Sequence, residues 1–147
     1  MAKHGIICLI ALAALFLSPV QPISAGDSSN DSFSRAKKML ERQVYADHRI
    51  TLYCGAEYDE SKNVSLPRGF ETPSHPKRAR RVEWEHAVPT ENFGRAFKEW
   101  RDGDPRCVDN KGNPFRGRKC AEKMNMEYRY VQSDMCNLFP SSSKCCA

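Results

Sequence analysis

The sequence lacks several patterns that would assign it to other classes of protein. After Leu17 it has no apolar run near the roughly 20 residues that a membrane-spanning helix needs. It has no Cys-x-x-Cys pair, and its histidines do not stand beside cysteines at zinc-ligand spacing. Internal repeats and long linkers are also missing. These absences disfavour a membrane protein, a zinc module and a repeat array, and the 147 residues suit a single domain.

The first 25 residues have the layout of a secretory signal peptide. A basic start precedes an apolar run from Ile6 to Leu17, and the small residue Ala25 stands at the expected cleavage position. We therefore expect residues 1–25 to be removed, leaving one mature domain at residues 26–147. The expected location is the periplasm or the medium.

Cysteine usage agrees with export. Six of the seven cysteines follow the predicted signal peptide, an even number in a chain bound for an oxidising compartment. We expect at least two disulfides, although the sequence does not choose among the many pairings. Cys107 and Cys120 are the first candidates because they bracket the loop before a helical segment.

Local patterns predict a mixture of helices and strands. Ser32 is a suitable N-cap, and the apolar residues after it recur at helical spacing, whereas the residues before Pro89 alternate as in a strand. We predict helices from Ser32 to about Ala46 with Val44 on the apolar face, from Asn92 to Trp100, and from about Glu122 through Leu138, strands at Arg49–Tyr53 and Val82–His86, and loops at 57–76 and 102–117.

Basic residues are concentrated on both sides of the predicted Val82–His86 strand. The chain has 23 Lys and Arg against 18 Asp and Glu, a net charge of +5. A solvated loop is the common explanation of one basic run, but two runs that flank the same residues favour contact with a phosphate backbone. The expected nucleic-acid contacts are Lys77, Arg78, Arg80, Arg81, Arg106 and Lys119.

Two short motifs carry candidate chemistry. WEHAVP places His86 beside Glu85, and SDMCNL places Asn137 near Asp134. A neutral imidazole can take a proton from water near pH 7. Carboxylate and amide oxygens suit one Mg²⁺, which keeps several waters of its own. This is the minimal equipment for hydrolysing a phosphodiester, so the residues favour a nuclease.

Each of these residues also has an ordinary structural explanation. A strand histidine is more often structural than catalytic, and Asn137 would usually be a helix-surface or capping residue. Adjacent strand residues point to opposite faces, so Glu85 and His86 share a site only where the strand bends or ends. The alternative class is a small basic protein with disulfides that binds nucleic acid without cutting it.

A family resemblance is carried by three segments together. WEHAVP with Phe93 and Gly94 after it, GRKCAEKMN at 117–125, and SDMCNL with Pro140 after it resemble the bacterial endonuclease I family, of the His-Me finger or ββα-metal type. The likeness runs from about Tyr53 to Pro140. It implies an α+β fold with a ββα-metal nuclease core and added helices and loops.

The resemblance further implies a function and the roles of individual residues. It predicts a monomeric, sequence-nonspecific endonuclease that cuts DNA to leave a 5′-phosphate, with RNA left open as a second substrate. His86 stands where the family has its general base, and Glu85 and Asn137 where it has the ligands of one Mg²⁺. The arginine near the scissile phosphate is ambiguous between Arg106 and Arg118, and we favour Arg118.

The chain departs from the family pattern in two places. Cys54, Gly55 and Ala56 stand where the family usually has Cys-Gly-Cys. The last residues, Ser141–Ala147, do not resemble the family's continuation. We therefore expect the C-terminal part of the family fold to be missing, and an inactive nuclease remnant is a further alternative.

Overall fold

The computed structural model describes residues 28–70 and 76–142. The predicted signal peptide therefore lies outside the described residues. None of the helices in the described ranges is long and apolar enough to cross a membrane. The elements are α1 Phe33–Met39, a π-helical segment Leu40–Val44, α2 Pro76–Ala79, β1 Val82–His86, α3 Thr90–Gly94, α4 Lys98–Arg101, α5 Arg118–Met124, α6 Met126–Gln132, a 3-10 turn Met135–Asn137, and β2 Leu138–Ser142.

Strands β1 and β2 form a two-stranded antiparallel ribbon, which confirms a fold with both helices and strands. His86 pairs with Leu138, and Glu85 pairs with Phe139. The predicted strand Val82–His86 is confirmed with the same bounds. Its partner β2 was not predicted, because the sequence was expected to remain helical up to Leu138.

Helix α1 covers one face of this ribbon. The Ser32 hydroxyl accepts a hydrogen bond from the backbone N–H of Arg35 at 3.3 Å, as expected of an N-cap. Ala36 and Leu40 are buried against Leu138. The prediction for Val44 is wrong, because the π-helical segment shifts the phase of the apolar face and leaves Val44 55 % exposed.

Two further predictions of regular structure are wrong. Residues 49–53 form a turn rather than a strand: Ile50 makes an isolated bridge to Glu57, while Leu52 and Tyr53 are exposed. The long C-terminal helix is interrupted at Asn125, whose side chain caps α6 by accepting from the Tyr128 N–H at 2.9 Å. Asn125 therefore starts a second helix, and Leu138 belongs to β2.

An aromatic cluster holds the middle of the chain against α6. The predicted helix at 92–100 is divided into α3 and α4, but its three aromatic residues do face inward. The rings of Phe93, Phe97 and Trp100 lie 6.0, 5.4 and 5.9 Å from the buried Tyr128 ring. Gly94 permits this packing, since a Cβ there would lie 2.5 Å from the Trp100 ring.

The loop at 102–117 is largely irregular, as predicted, and a disulfide ties it to α5. Cys107 and Cys120 are bonded to each other and fully buried, so both expected participants do form a disulfide. Cys54 is disulfide-bonded as well. Among the described residues, Cys136 is a free and exposed thiol.

Candidate active site

His86 is the last residue of β1, and its side chain is enclosed. The ring is 9 % exposed. Phe33 of α1 stacks on it at 5.3 Å between ring centroids, and Phe93 of α3 meets it edge-on at 5.5 Å. Side chains from two helices, α1 and α3, therefore fix the plane of the imidazole.

One hydrogen bond fixes the protonation pattern of the His86 ring. Nε2 lies 2.9 Å from the backbone carbonyl oxygen of Gln132. Because a carbonyl oxygen can only accept, Nε2 carries the hydrogen in this contact, and in the neutral ring Nδ1 then holds the lone pair. This is the arrangement that a general base requires.

The surroundings of His86 favour its neutral form. Burial, which removes hydration from the charged ring, lowers the pKa of His86 below its ordinary value of 6.5. The nearby positive charge of Arg118 lowers this pKa further, whereas the Gln132 hydrogen bond and the charge of Asp134 act in the opposite direction. Burial is the largest of these effects, so the ring is neutral at pH 7.

Glu85 lies on the other face of β1 and is exposed. Within the described ranges its carboxylate makes no ion pair. Glu83, two residues earlier on the same face, is instead held by Arg78 through two hydrogen bonds of 2.7 Å. Glu85 is therefore the carboxylate on this face that is open to a ligand.

Asn137 joins β2 to the segment after β1. Its Oδ1 accepts from the Val88 N–H at 2.7 Å, and its Nδ2 donates to the Val88 carbonyl at 3.3 Å. One lone pair of Oδ1 remains beyond the Val88 contact. Asn137 lies one residue before β2, and its backbone carbonyl accepts from the Ala87 N–H at 3.0 Å, so it stands at the end of the ribbon that Glu85 and His86 also occupy.

The described residues contain no group of three or more His, Cys, Asp or Glu side chains that could hold a metal ion. A cation held by Glu85 and Asn137 would therefore have two protein oxygens and complete its shell with water. That donor set fits Mg²⁺, which usually binds one or two carboxylate or amide oxygens and keeps several waters. It does not fit zinc, which prefers closed sites of nitrogen and sulfur.

The two candidate phosphate-binding arginines differ in their surroundings. Arg118 begins α5, its guanidinium lies 5.4 Å from the centre of the Phe33 ring, and its Nε donates to Oε1 of Gln132 at 3.4 Å. Arg106 is instead bound to both carboxylate oxygens of Asp104 at 2.9 and 3.0 Å. The fold thus brings Arg118, rather than Arg106, to the His86 side of the molecule.

The remaining predicted cations are on the surface. Lys77 and Arg78 lie on α2, Arg80 and Arg81 follow it, and Lys119 lies on α5, all exposed. Arg78 is occupied by Glu83. The other four form no ion pair with a described residue. They remain available to an anionic ligand.

Sequence reasoning missed two neighbours of His86. Phe33 was assigned to an apolar helix face, and its stacking on the imidazole depends on tertiary packing that helical spacing alone does not reveal. Gln132 contacts His86 through a backbone carbonyl. Since every residue has that group, residue type gave no signal.

Comparison with known proteins shows that the chain has relatives. No family model matches the chain. The chain is 35 % identical over 114 residues to the extracellular deoxyribonuclease of Aeromonas hydrophila, covering 75 % of this chain and 44 % of that protein. It is 30 % identical over 136 residues to the periplasmic deoxyribonuclease of the same organism, covering 90 % and 49 %.

A third relative is endonuclease-1 of Buchnera aphidicola, which is 26 % identical over 116 residues, covering 76 % of this chain and 40 % of that protein. The chain spans about half the length of the relatives it matches. Over most of its length, the chain is therefore similar to extracellular and periplasmic deoxyribonucleases and to endonuclease-1, which supports the resemblance to the bacterial endonuclease I family.

Proposed function

We propose that this protein is an exported, metal-dependent endonuclease that hydrolyses DNA without sequence specificity. The observation that carries the proposal is the state of His86: a neutral ring whose Nε2 is held by the Gln132 carbonyl and whose Nδ1 keeps its lone pair. A histidine in that state is equipped to deprotonate water. The names of the relatives supply the substrate class.

The proposed roles follow from the positions of the side chains. Nδ1 of His86 takes a proton from the attacking water, and the ring remains oriented by its Nε2 hydrogen bond. Arg118 holds a non-bridging oxygen of the scissile phosphate, because its exposed guanidinium lies on the same side of the fold. Hydrolysis by this route leaves a 5′-phosphate.

Glu85 and Asn137 are the proposed ligands of one Mg²⁺. When bound, the ion supplies positive charge to the phosphate oxygens and to the departing 3′ oxygen. Glu85 contributes an open carboxylate, and Asn137 contributes the remaining lone pair of an amide oxygen that its Val88 contacts already orient. In this reading the β1–β2 ribbon is the two-stranded part of a ββα-metal core.

The substrate contacts and the location are part of the same proposal. Lys77, Arg80, Arg81 and Lys119 would contact the phosphate backbone, which carries no sequence information. Such binding should weaken steeply as salt concentration rises. Export is supported by the signal-like N-terminus, by the Cys107–Cys120 disulfide, and by relatives named extracellular and periplasmic.

Plasmid cleavage tests the function directly. Purified protein with supercoiled DNA and Mg²⁺ should give nicked and then linear products, and excess chelator should stop the reaction. Structured RNA is assayed in parallel to define the substrate class. A salt-sensitive gel shift with no cleavage in any divalent cation would replace this proposal with a nucleic-acid-binding protein.

A further inference from the structure

Gln132 contacts both of the side chains that are proposed to act on the scissile phosphate. It is the last residue of α6 and is only 2 % exposed. Its carbonyl oxygen lies 2.9 Å from Nε2 of His86, and its side-chain Oε1 accepts from Nε of Arg118 at 3.4 Å. One buried residue therefore connects two groups that lie 32 residues apart in the chain.

We propose that Gln132 is a positioning residue that fixes the orientation of the His86 imidazole with its backbone and of the Arg118 guanidinium with its side chain. This inference rests on the proposed function, because it assigns Gln132 a task in that reaction. The sequence motifs that pointed to His86 and Asn137 contain no signal for it.

The end of α6 explains why the carbonyl is available. The last four carbonyl groups of a helix have no intrahelical partner. The carbonyl of Gln132 is one of these, and burial denies it water. The Nε2–H of His86 donates the missing hydrogen bond. The position of the helix end therefore fixes the direction in which the His86 ring points.

The side-chain contact suits a phosphate-binding arginine. Gln132 accepts from Nε, the inner nitrogen, so this contact does not itself occupy the terminal nitrogens of the guanidinium. Phe33 supports one side of the group at 5.4 Å. The charge of Arg118 also acts on the buried hydroxyl of Tyr128, whose pKa burial raises to about 12. Arg118 is thus held at its base, with its side chain still largely exposed.

The need to keep the positive charge of Arg118 explains why residue 132 has an amide rather than a carboxylate. A neutral acceptor orients the guanidinium and leaves its full positive charge for phosphate. A glutamate would hold the same nitrogen more tightly but would neutralise that charge. The proposal therefore predicts that Gln132→Glu impairs catalysis even though it keeps an acceptor for Arg118.

A double-mutant cycle tests the positioning role. Gln132→Met keeps the backbone carbonyl and similar volume but removes Oε1, and it should lower kcat/KM for plasmid cleavage by about 10-fold, the usual effect of losing one charge-assisted hydrogen bond. In an Arg118→Met background the same change should cost little more. An equal loss in both backgrounds would show a merely structural role and overturn the proposal. Gln43→Met, at an exposed glutamine, is the matched control.

A second measurement does not need activity. NMR relaxation of the Arg118 Nε–H group should show a clear fall in its order parameter in Gln132→Met. Gln132→Glu keeps an acceptor for Nε and should retain the native order parameter, so it also serves as the test variant if Gln132→Met does not fold. Unchanged order in folded Gln132→Met would overturn the proposal. If order falls as expected but the native protein cuts no DNA, the positioning contact stands and the proposed nuclease function fails.

Discussion

The two faces of strand β1 carry neighbouring residues into opposite environments. His86 points into a buried site, where Phe33 and Phe93 pack against its ring and a backbone carbonyl holds one nitrogen. Glu85 points outward, exposed and without an ion pair in the described part of the chain. A general base benefits from a fixed, poorly hydrated environment, whereas a Mg²⁺ ligand must leave room for the ion's waters. Because β1 ends at His86, the two environments adjoin at the end of the strand.

The largest expected effect comes from replacing His86, the proposed general base on the buried face of β1. His86→Ala takes away the proton acceptor and leaves Glu85 and Asn137 in place, so cleavage should fall by roughly 10²- to 10⁴-fold. Binding of plasmid, measured by gel shift, should be retained. If this variant cleaves plasmid as fast as the native protein, His86 is not the general base.

The exposed face is tested by comparing two carboxylates that share it. Glu85→Ala should raise the Mg²⁺ concentration for half-maximal cleavage by at least roughly 10-fold, with partial recovery at high Mg²⁺. Glu83→Ala is the matched control, because Glu83 lies on the same face but is held by Arg78. A Mg²⁺ titration of the two variants checks this. If both behave alike, Glu85 has no special role.

The Cys107–Cys120 disulfide should stabilise the fold as a whole, including the helix that carries Arg118. Cys120 lies in α5 with Arg118, and replacing Cys107 and Cys120 by Ser should cost about 3 kcal/mol of unfolding free energy on the chain-entropy model. Denaturant unfolding measures it. Cys136→Ser, at a free and exposed thiol, is the control and should change stability little. A destabilisation of similar size in the control would contradict this assignment.

The smallest expected effect lies at Asp104, away from both faces. Its hydrogen bonds to Arg106 lower the pKa of Asp104 from 3.8 to about 2. A lowered carboxyl pKa stabilises the fold above the unfolded pKa, and this contribution is lost as pH falls through the folded value. The Tm of Asp104→Asn should therefore fall less than the Tm of the native protein between about pH 4 and pH 2. Thermal unfolding across this pH range measures the difference, and Asp102→Asn is the control.

The same Asp104 variant also separates the two arginines. It releases Arg106 from its carboxylate partner while leaving Arg118 in place. If Arg118 holds the phosphate, the cleavage rate should stay within about two-fold of the native rate. A several-fold change in kcat would indicate that Arg106 takes part.

Local patterns predicted some of this structure and long-range contacts determined the rest. The strand Val82–His86 has a clear alternation with Pro89 after it, and the bracketed loop favoured Cys107 with Cys120. By contrast, the apolar spacing from Tyr128 to Leu138 suits a continuous helix, whereas the helix in the structure ends at Gln132 and Leu138 begins β2. Pairing of β2 with β1 joins residues 52 to 60 positions apart, and no local pattern encodes it.

For the site, the sequence indicated residue types but not their environments. His86 and Asn137 stood out because imidazole and amide oxygen have recognisable chemistry. The stacking of Phe33 and the carbonyl of Gln132 could not be predicted, since one depends on how α1 packs and the other on a backbone group common to all residues. The environment of a catalytic group is therefore the part that needs a structure.

The most direct test of the central claim is the tautomer of His86. Long-range ¹H–¹⁵N NMR spectra of the native protein near pH 7.5, with His86→Ala to assign the signals, distinguish a protonated ring nitrogen from one with a free lone pair. We predict a neutral ring with hydrogen on Nε2 and the lone pair on Nδ1. A ring protonated on both nitrogens at that pH, or one with hydrogen on Nδ1 alone, would contradict the account.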